Sequence, residues 1–209
     1  MSALLYIQAS PRTDRSYSGQ VADAFIEAYR QAHPQDRVKT IDVFRARLPA
    51  FDGLAVTAKY TIMHGTEHSA GELKVWKAVE SVIQTFKAAD KYVLAVPMWN
   101  FGIPYRLKQY LDVLIQPTYT FSFSPAEGYK GLVSGKPMLI IYARGGDYSS
   151  PDAQTVDFQQ RYLEMVFGFI GFTNIRSLIV QPTLQGGPEI AAQKRDAVIA
   201  EAKALAAGF

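Results

Sequence analysis

Read for hydrophobic and polar positions, the chain carries five apolar runs, Leu4–Gln8, Val38–Val43, Tyr92–Val96, Pro137–Ala143 and Ile175–Val180. Leu4–Gln8, Tyr92–Val96 and Pro137–Ala143 are continuous rather than alternating, which suits strands buried on both faces. Between the runs, apolar residues recur at helical spacing. Val21, Phe25, Tyr29 and Ala32 mark a helix from about Ser16, and Trp76, Val79, Ile83 and Phe86 another over Gly71–Ala89. Leu107, Tyr110, Leu111 and Leu114 form a stripe after Pro104, which fits a first helical turn because its missing N–H costs nothing there. Tyr162, Leu163, Val166 and Phe167 repeat within Phe158–Ile170, and Ile190, Val198, Ala202 and Leu205 within Pro188–Ala207. Five strands alternating with five helices predict a doubly wound α/β fold, a parallel sheet with helices on both faces. Arg45–Met63 shows little periodicity and reads as a long loop. Thr118–Phe123 alternates and would pass for a short edge strand.

In such sheets ligands sit beyond the carboxyl ends of the strands, and three loops there have unusual compositions. After the third strand, Pro97-Met98-Trp99-Asn100-Phe101-Gly102 carries three large apolar residues around one amide. A flat apolar ligand would explain it; so would a loop folded back on the core. After the first strand, Ser10 to Ser18 is rich in hydroxyls and leads into a helix N-terminus, whose free N–H groups and dipole favour an anion. Ser16 and Ser18 would serve equally as plain helix caps. After the fourth strand, Arg144-Gly145-Gly146 lets backbone approach a flat ligand, or simply makes a tight turn.

Composition narrows the classes. At 209 residues, 48% apolar, the chain is long enough to bury one large core, and residues 1–209 read as a single domain. No run approaches membrane-spanning length, and the N-terminus has no leader pattern. The absence of cysteine excludes disulfides and thiolate chemistry, and leaves cytoplasm as the default compartment. A net charge of +3, with basic residues scattered, gives no nucleic-acid footprint. His64 and His68 are four apart, but no Glu lies between them in a metalloprotease arrangement and Gly65 interrupts them, so no metal is expected.

Pro97-Met98-Trp99-Asn100-Phe101, followed by Pro104 and Leu107-Lys108-x-x-x-Asp112, resembles the flavin loop of the FMN-dependent azoreductases and NAD(P)H:quinone oxidoreductases. The resemblance implies a flavodoxin-like sheet of order 2-1-3-4-5 with tightly bound FMN. It implies that Ser10, Ser16 and Ser18 hold the phosphate, that Tyr17 between them also binds the cofactor, and that Pro97, Met98, Trp99, Asn100, Phe101, Arg144, Gly145 and Gly146 hold the ring. Ala143 stands where a serine is common. Tyr148 stands where some members have histidine, near the flavin pyrimidine edge, where its phenol would donate a hydrogen bond to the reduced ring. Gly168-Phe169-Ile170-Gly171 also recurs in the family. It places Phe169 beside Trp99, Phe123 and Tyr148 on the substrate side, and makes 116–129 a loop rather than a strand.

The chain has no Ser/His/Asp set, thiolate or metal cluster, so a flavin would carry the chemistry while the protein binds and aims it. The resemblance implies ping-pong reduction of quinones and azo compounds by NADH or NADPH, in a homodimer whose cavities lie at the interface. A flavodoxin-type electron carrier or a flavin reductase is the alternative. A carrier usually presents an acidic docking face, and this chain is weakly basic.

Overall fold

The computed structural model describes all 209 residues. Its centre is a five-stranded parallel sheet of β1 (Ala3–Gln8), β2 (Arg37–Asp42), β3 (Lys91–Pro97), β6 (Pro137–Ala143) and β7 (Asn174–Val180), in the order β2-β1-β3-β6-β7. A separate antiparallel hairpin, β4 (Phe121–Ser124) and β5 (Gly128–Gly131), stands outside it. The expected order 2-1-3-4-5 is matched only when the hairpin strands are left out of the count.

Strand side chains alternate between two cores. Leu5, Ile7, Tyr92, Leu94, Val96, Met138, Ile140 and Tyr142 face α3 (Ala70–Lys87), α4 (Tyr105–Leu114) and α6 (Gln160–Phe169). Leu4, Tyr6, Val93, Ala95, Leu139 and Ile141 face α1 (Tyr17–Ala32) and α7 (Gly187–Ala206). The expected stripe of α3 is buried in full: Trp76, Val79, Ile83 and Phe86 are at most 2% exposed. A capping box of Ser69 and Glu72 starts that helix, satisfying two otherwise free N–H groups.

Several expectations need correction. Most of Arg45–Met63 is not loop: α2 spans Gly53–Met63, capped by Asp52, whose carboxylate accepts from the N–H groups of Leu54 and Ala55. It shows no clear stripe because it buries only Ala55 and Ala58, leaving Leu54, Tyr60 and Met63 exposed. Thr118–Phe123 enters neither an edge of the main sheet nor a plain loop, since residues 121–124 pair with 128–131. A four-residue helix, α5 (Pro151–Gln154), precedes α6. Pro104 caps α4 from outside rather than sitting in its first turn. Ala32, the last residue of α1, faces solvent. Ile190, near the start of α7, is 37% exposed, with its side chain beside Gly186 rather than in the core. His68 Nε2 lies 2.8 Å from the Ala58 carbonyl oxygen. No helix is long and apolar enough to cross a membrane.

Candidate active site

Strand register brings three loop origins side by side. Gln8 pairs with Ala95, and Pro97 with Ala143. Just beyond, the Ala9 N–H donates to the Ala95 carbonyl (3.0 Å) and the Met98 N–H to that of Ala143 (2.8 Å). The segments starting at Ser10, Met98 and Arg144 therefore leave one edge of the sheet from adjacent strands.

The first loop makes a single 3-10 turn, Thr13–Arg15, before α1. Ser16 is the N-cap, accepting the Gly19 N–H at 3.2 Å. Ser10 and Ser16, both buried, line a cavity of about 260 Å³ with Thr13 and Gly19. Ser18 does not reach that cavity. It is fully buried behind it, with its hydroxyl 3.3 Å from that of Ser16. Tyr17 packs against the core beneath α1 and α7. Asp14, Asp23 and Asp42 line the same cavity, and Arg45 pairs with Asp42 at 3.4 Å, so the field is mixed. An anion finds its donors at the helix terminus, where N–H groups of the first turn point outward.

In the second loop Trp99 and Gly102 exchange both backbone hydrogen bonds, at 3.0 and 2.9 Å. Between them Asn100 (φ 47°) and Phe101 (φ 66°) both adopt left-handed backbone. This is a two-residue turn of the primed hairpin kind. Asparagine tolerates the left-handed region, but for phenylalanine it costs about 1–2 kcal/mol. Strain of that kind is concentrated at functional sites, and here it thrusts Asn100 and Phe101 outward, Phe101 being 53% exposed. Trp99 is 5.7 Å from Phe44 and 6.4 Å from Tyr105, ring to ring. Arg106 of α4 secures the backbone behind Phe44, donating to the carbonyls of Val43 (2.9 Å) and Ala46 (2.7 Å). Trp99, Asn100, Tyr105, Phe158 and Tyr162 help to line an open cavity of about 1010 Å³.

The third loop is tied to the segment after β7. The Gly145 carbonyl accepts from Leu184 (3.0 Å) and Gln185 (3.1 Å), and a Cβ on Gly145 would lie 2.9 Å from the Leu184 side chain. Gly146 and Tyr148 are half-buried. The expectation for Arg144 needs correction at its side chain. The guanidinium turns inward, 2% exposed, and pairs with Asp157 at 2.7 Å. It also donates to Gln159 (3.1 Å), Gln160 (3.0 Å) and Gln181 (3.2 Å). Its side-chain donors are engaged within the protein, and its main-chain N–H donates to the Val180 carbonyl (3.0 Å) while its carbonyl accepts from Thr183 (2.9 Å). Burial pulls its pKa below the ordinary guanidinium value, and the Asp157 carboxylate opposes that shift. The Tyr148 ring stacks over it at 5.7 Å, and the Tyr148 N–H donates to Gln181 (3.3 Å).

The four expected substrate-side residues fall into three groups. Phe123 and Phe169 meet through Tyr129, with ring separations of 4.9 and 5.6 Å, on an exposed aromatic patch that includes Phe121. Trp99 belongs to the Phe44 and Tyr105 group, and Tyr148 to Arg144. Sequence reasoning missed Asp157, Gln159 and Gln181, which bond to the third loop, and Phe158, which bonds to the second. The one available signal was Asp157, an acceptor three residues before the first residue of α6.

This loop arrangement on a five-stranded parallel sheet is that of the flavodoxin-like fold, and the family model of that description matches residues 2–206. The chain is 52% identical over 210 residues, the whole of both chains, to the FMN-dependent NADH:quinone oxidoreductase of Nitratidesulfovibrio vulgaris strain DP4. The crystal structure of an azoreductase from Bacillus anthracis strain Sterne covers all of both chains at 30% identity and a TM-score of 0.92. A FMN-dependent NADH-azoreductase from Bacillus anthracis strain Ames Ancestor, solved in complex with FMN, covers 99% of this chain and all of its own, at 30% identity and a TM-score of 0.86. The chain belongs to this flavodoxin-like family, and within it to the FMN-dependent NADH:quinone oxidoreductases.

Proposed function

We propose that residues 1–209 form one FMN-binding domain that catalyses NADH-dependent, two-electron reduction of quinones and azo compounds. The observation that carries this reading is the convergence of three loops at one sheet edge, with the strained Asn100-Phe101 corner at their centre. The residues suit the cofactor. A long helix offers its free N-terminus and the Ser10 and Ser16 hydroxyls to a phosphate, while Ser18 supports Ser16 from behind. The Asn100 amide can both donate and accept, as the alternating polar edge of an isoalloxazine requires. Pro97, Met98, Trp99 and Phe101 supply apolar contact on one side, and the Gly145-Gly146 backbone closes the other.

FMN, when bound, supplies the hydride-accepting and hydride-donating chemistry. The protein's own residues bind and orient it, keep water from the open face, and give the nicotinamide and the acceptor one apolar site to use in turn. The aromatic patch of Phe123, Tyr129 and Phe169 suits flat acceptors. NADPH is the alternative reductant.

The working unit in this reading is a homodimer. Leu54, Tyr60 and Met63 on α2, together with Tyr105 and Phe158 beside the large cavity, are at least 44% exposed. Apolar surface of this extent is normally covered, and a two-fold axis would close two cavities at once. A second chain would also reunite the substrate-side groups that one chain leaves apart.

The test is an anaerobic titration of the purified protein with NADH, then addition of a benzoquinone or an azo dye. Bleaching of bound FMN and its reoxidation by the acceptor, with FMN retained through gel filtration, are expected. One-electron exchange without NADH turnover would indicate a carrier, and loss of FMN on reduction a flavin reductase. Sedimentation should give a dimer at micromolar protein; a fully active monomer at nanomolar protein would refute the shared cavity.

A further inference from the structure

One buried side chain joins two of the loops. Gln159, fully buried, donates from Nε2 to the Val96 carbonyl at 3.0 Å and accepts at Oε1 from Arg144 Nε at 3.1 Å. Val96 lies just before the Pro97–Gly102 loop, and Arg144 opens the Gly145-Gly146 loop. The flanking residues repeat the pattern. Asp157 pairs with the Arg144 guanidinium at 2.7 Å, and Gln160 accepts from it at 3.0 Å. The Phe158 N–H donates to the Phe101 carbonyl at 3.0 Å, reaching the strained turn itself. Asp157 Oδ1 then accepts from the N–H groups of Gln159 and Gln160, both at 3.0 Å, fixing the start of α6.

Strand pairing does not need these bonds. β3 and β6 are already in register through Pro97 and Ala143, so the added bonds act where the ladder ends. They also use both ends of the amide at position 159. One atom donates to a carbonyl while another accepts from a guanidinium; a Gln amide offers both at once, whereas an ionised Glu offers only the acceptor and Leu neither. All partners are buried, so losing either bond would leave a polar group unsatisfied.

We infer that Asp157–Gln160 is a clasp that sets the spacing between the Trp99–Gly102 turn and the Gly145-Gly146 loop, with Gln159 as its positioning residue. The inference rests on reading those loops as the two sides of the flavin site. A flat cofactor held between two loops is bound well only at one separation, and the clasp fixes that separation before the cofactor arrives.

The experiment uses full-length protein, with and without FMN, and the variants Gln159→Leu and Gln159→Glu. FMN affinity is read by flavin fluorescence, and loop mobility by amide hydrogen exchange over 97–104 and 144–148. Gln159→Leu should weaken FMN binding at least about tenfold and speed exchange in both loops of the FMN-free protein, leaving α1 and α7 as in the parent. Gln159→Glu keeps the acceptor towards Arg144 and loses the donor to Val96. It should loosen 97–104 alone and weaken FMN binding less, by about threefold. A lowered melting temperature with parental FMN affinity and parental exchange in both loops would overturn the clasp. If Gln159→Leu fails to fold, Gln159→Glu decides, and equal loosening of both loops or of neither counts against the inference. If the parent binds no FMN, the functional reading fails, while the exchange pattern in FMN-free protein still tests the clasp.

Discussion

Gly131 and Gly171 meet backbone to backbone. A Cβ built on Gly131 would overlap the Gly171 nitrogen and the Ile170 carbonyl carbon, and one on Gly171 would lie 3.2 Å from the Val133 carbonyl oxygen. Gly171 also has φ 117°, which side chains rarely adopt. The Gly168–Gly171 segment is therefore the seat of the β4–β5 hairpin, held further by the Val133 N–H donating to the Ile170 carbonyl at 2.9 Å.

Gly131→Ala should consequently displace the hairpin and destabilise the protein by about 1–3 kcal/mol, the range for overpacking a closed contact. Urea denaturation measures this. Gly168→Ala is the control, since its Cβ meets nothing within 4 Å and its position is helical. It should stabilise by about 0.5–1 kcal/mol. Equal effects from the two substitutions would remove the seat.

Ser16→Ala should act twice. Losing the N-cap bond to Gly19 costs about 1 kcal/mol of stability without any ligand. Losing a charge-assisted bond to a phosphate should weaken FMN binding by about a further 1–2 kcal/mol. Comparing urea midpoints of FMN-free protein with FMN titrations separates the two, and an unchanged FMN dissociation constant would leave Ser16 a cap only.

Asn100→Asp should keep the turn, because aspartate tolerates the left-handed region nearly as well as asparagine. It loses the amide donor and adds negative charge beside a ring that becomes anionic on reduction. The flavin potential should fall and anaerobic reduction by NADH should slow. Redox titration and stopped-flow absorbance check this; parental values for both would take Asn100 off the ring edge.

Asp36 predicts an acid-sensitive contribution to stability. Its carboxylate accepts from the Ser2 N–H and from the Tyr29 hydroxyl, each at 2.6 Å, and faces Lys91 at 3.8 Å. The Ser2 bond first, then the Tyr29 bond, with a smaller part from Lys91, holds its pKa below the ordinary carboxylate value. A depressed folded-state pKa gives stability that is complete above the unfolded value, near 3.8. That stability is lost as pH falls through the lower folded one. Asp36→Asn should therefore flatten the acid limb of a stability profile below about pH 4 and leave its neutral region parallel to the parent. An unchanged acid limb would exclude Asp36 as a contributor.

Much of this molecule was readable from residue order, for reasons that differ by element. Tyr92–Val96 and Pro137–Ala143 are apolar on both faces because both faces are covered, and the α3 stripe is legible because one face alone is buried. Helix α2 was hidden for the opposite reason: it buries only two alanines, so hydrophobicity marks no face, though Asp52 before it and Gly65 after it punctuate it clearly. The hairpin was ambiguous because alternation in 118–123 fixes a strand but not its partner. Ser10, Ser16, Asn100 and the glycine pair stand together on one edge as residue types and strand positions suggested. Arg144 did not follow its motif. Its partners Asp157, Gln159 and Gln181 lie 13, 15 and 37 residues further along the chain, and no local pattern tells a buried ion pair from a ligand contact.

The hairpin's attachment has a consequence for how such a chain can diverge. It is a side branch inserted between α4 and β6, with the Leu132 N–H bonded to the Thr120 carbonyl at its base and its tip free at 125–127. No strand of the central sheet passes through it. Residues can be added or removed at that tip, or its aromatic faces exchanged, without altering the register that brings the three loops together. If the proposed roles hold, acceptor range and cofactor grip would sit on separate parts of the chain, the first free to drift while the second stays fixed.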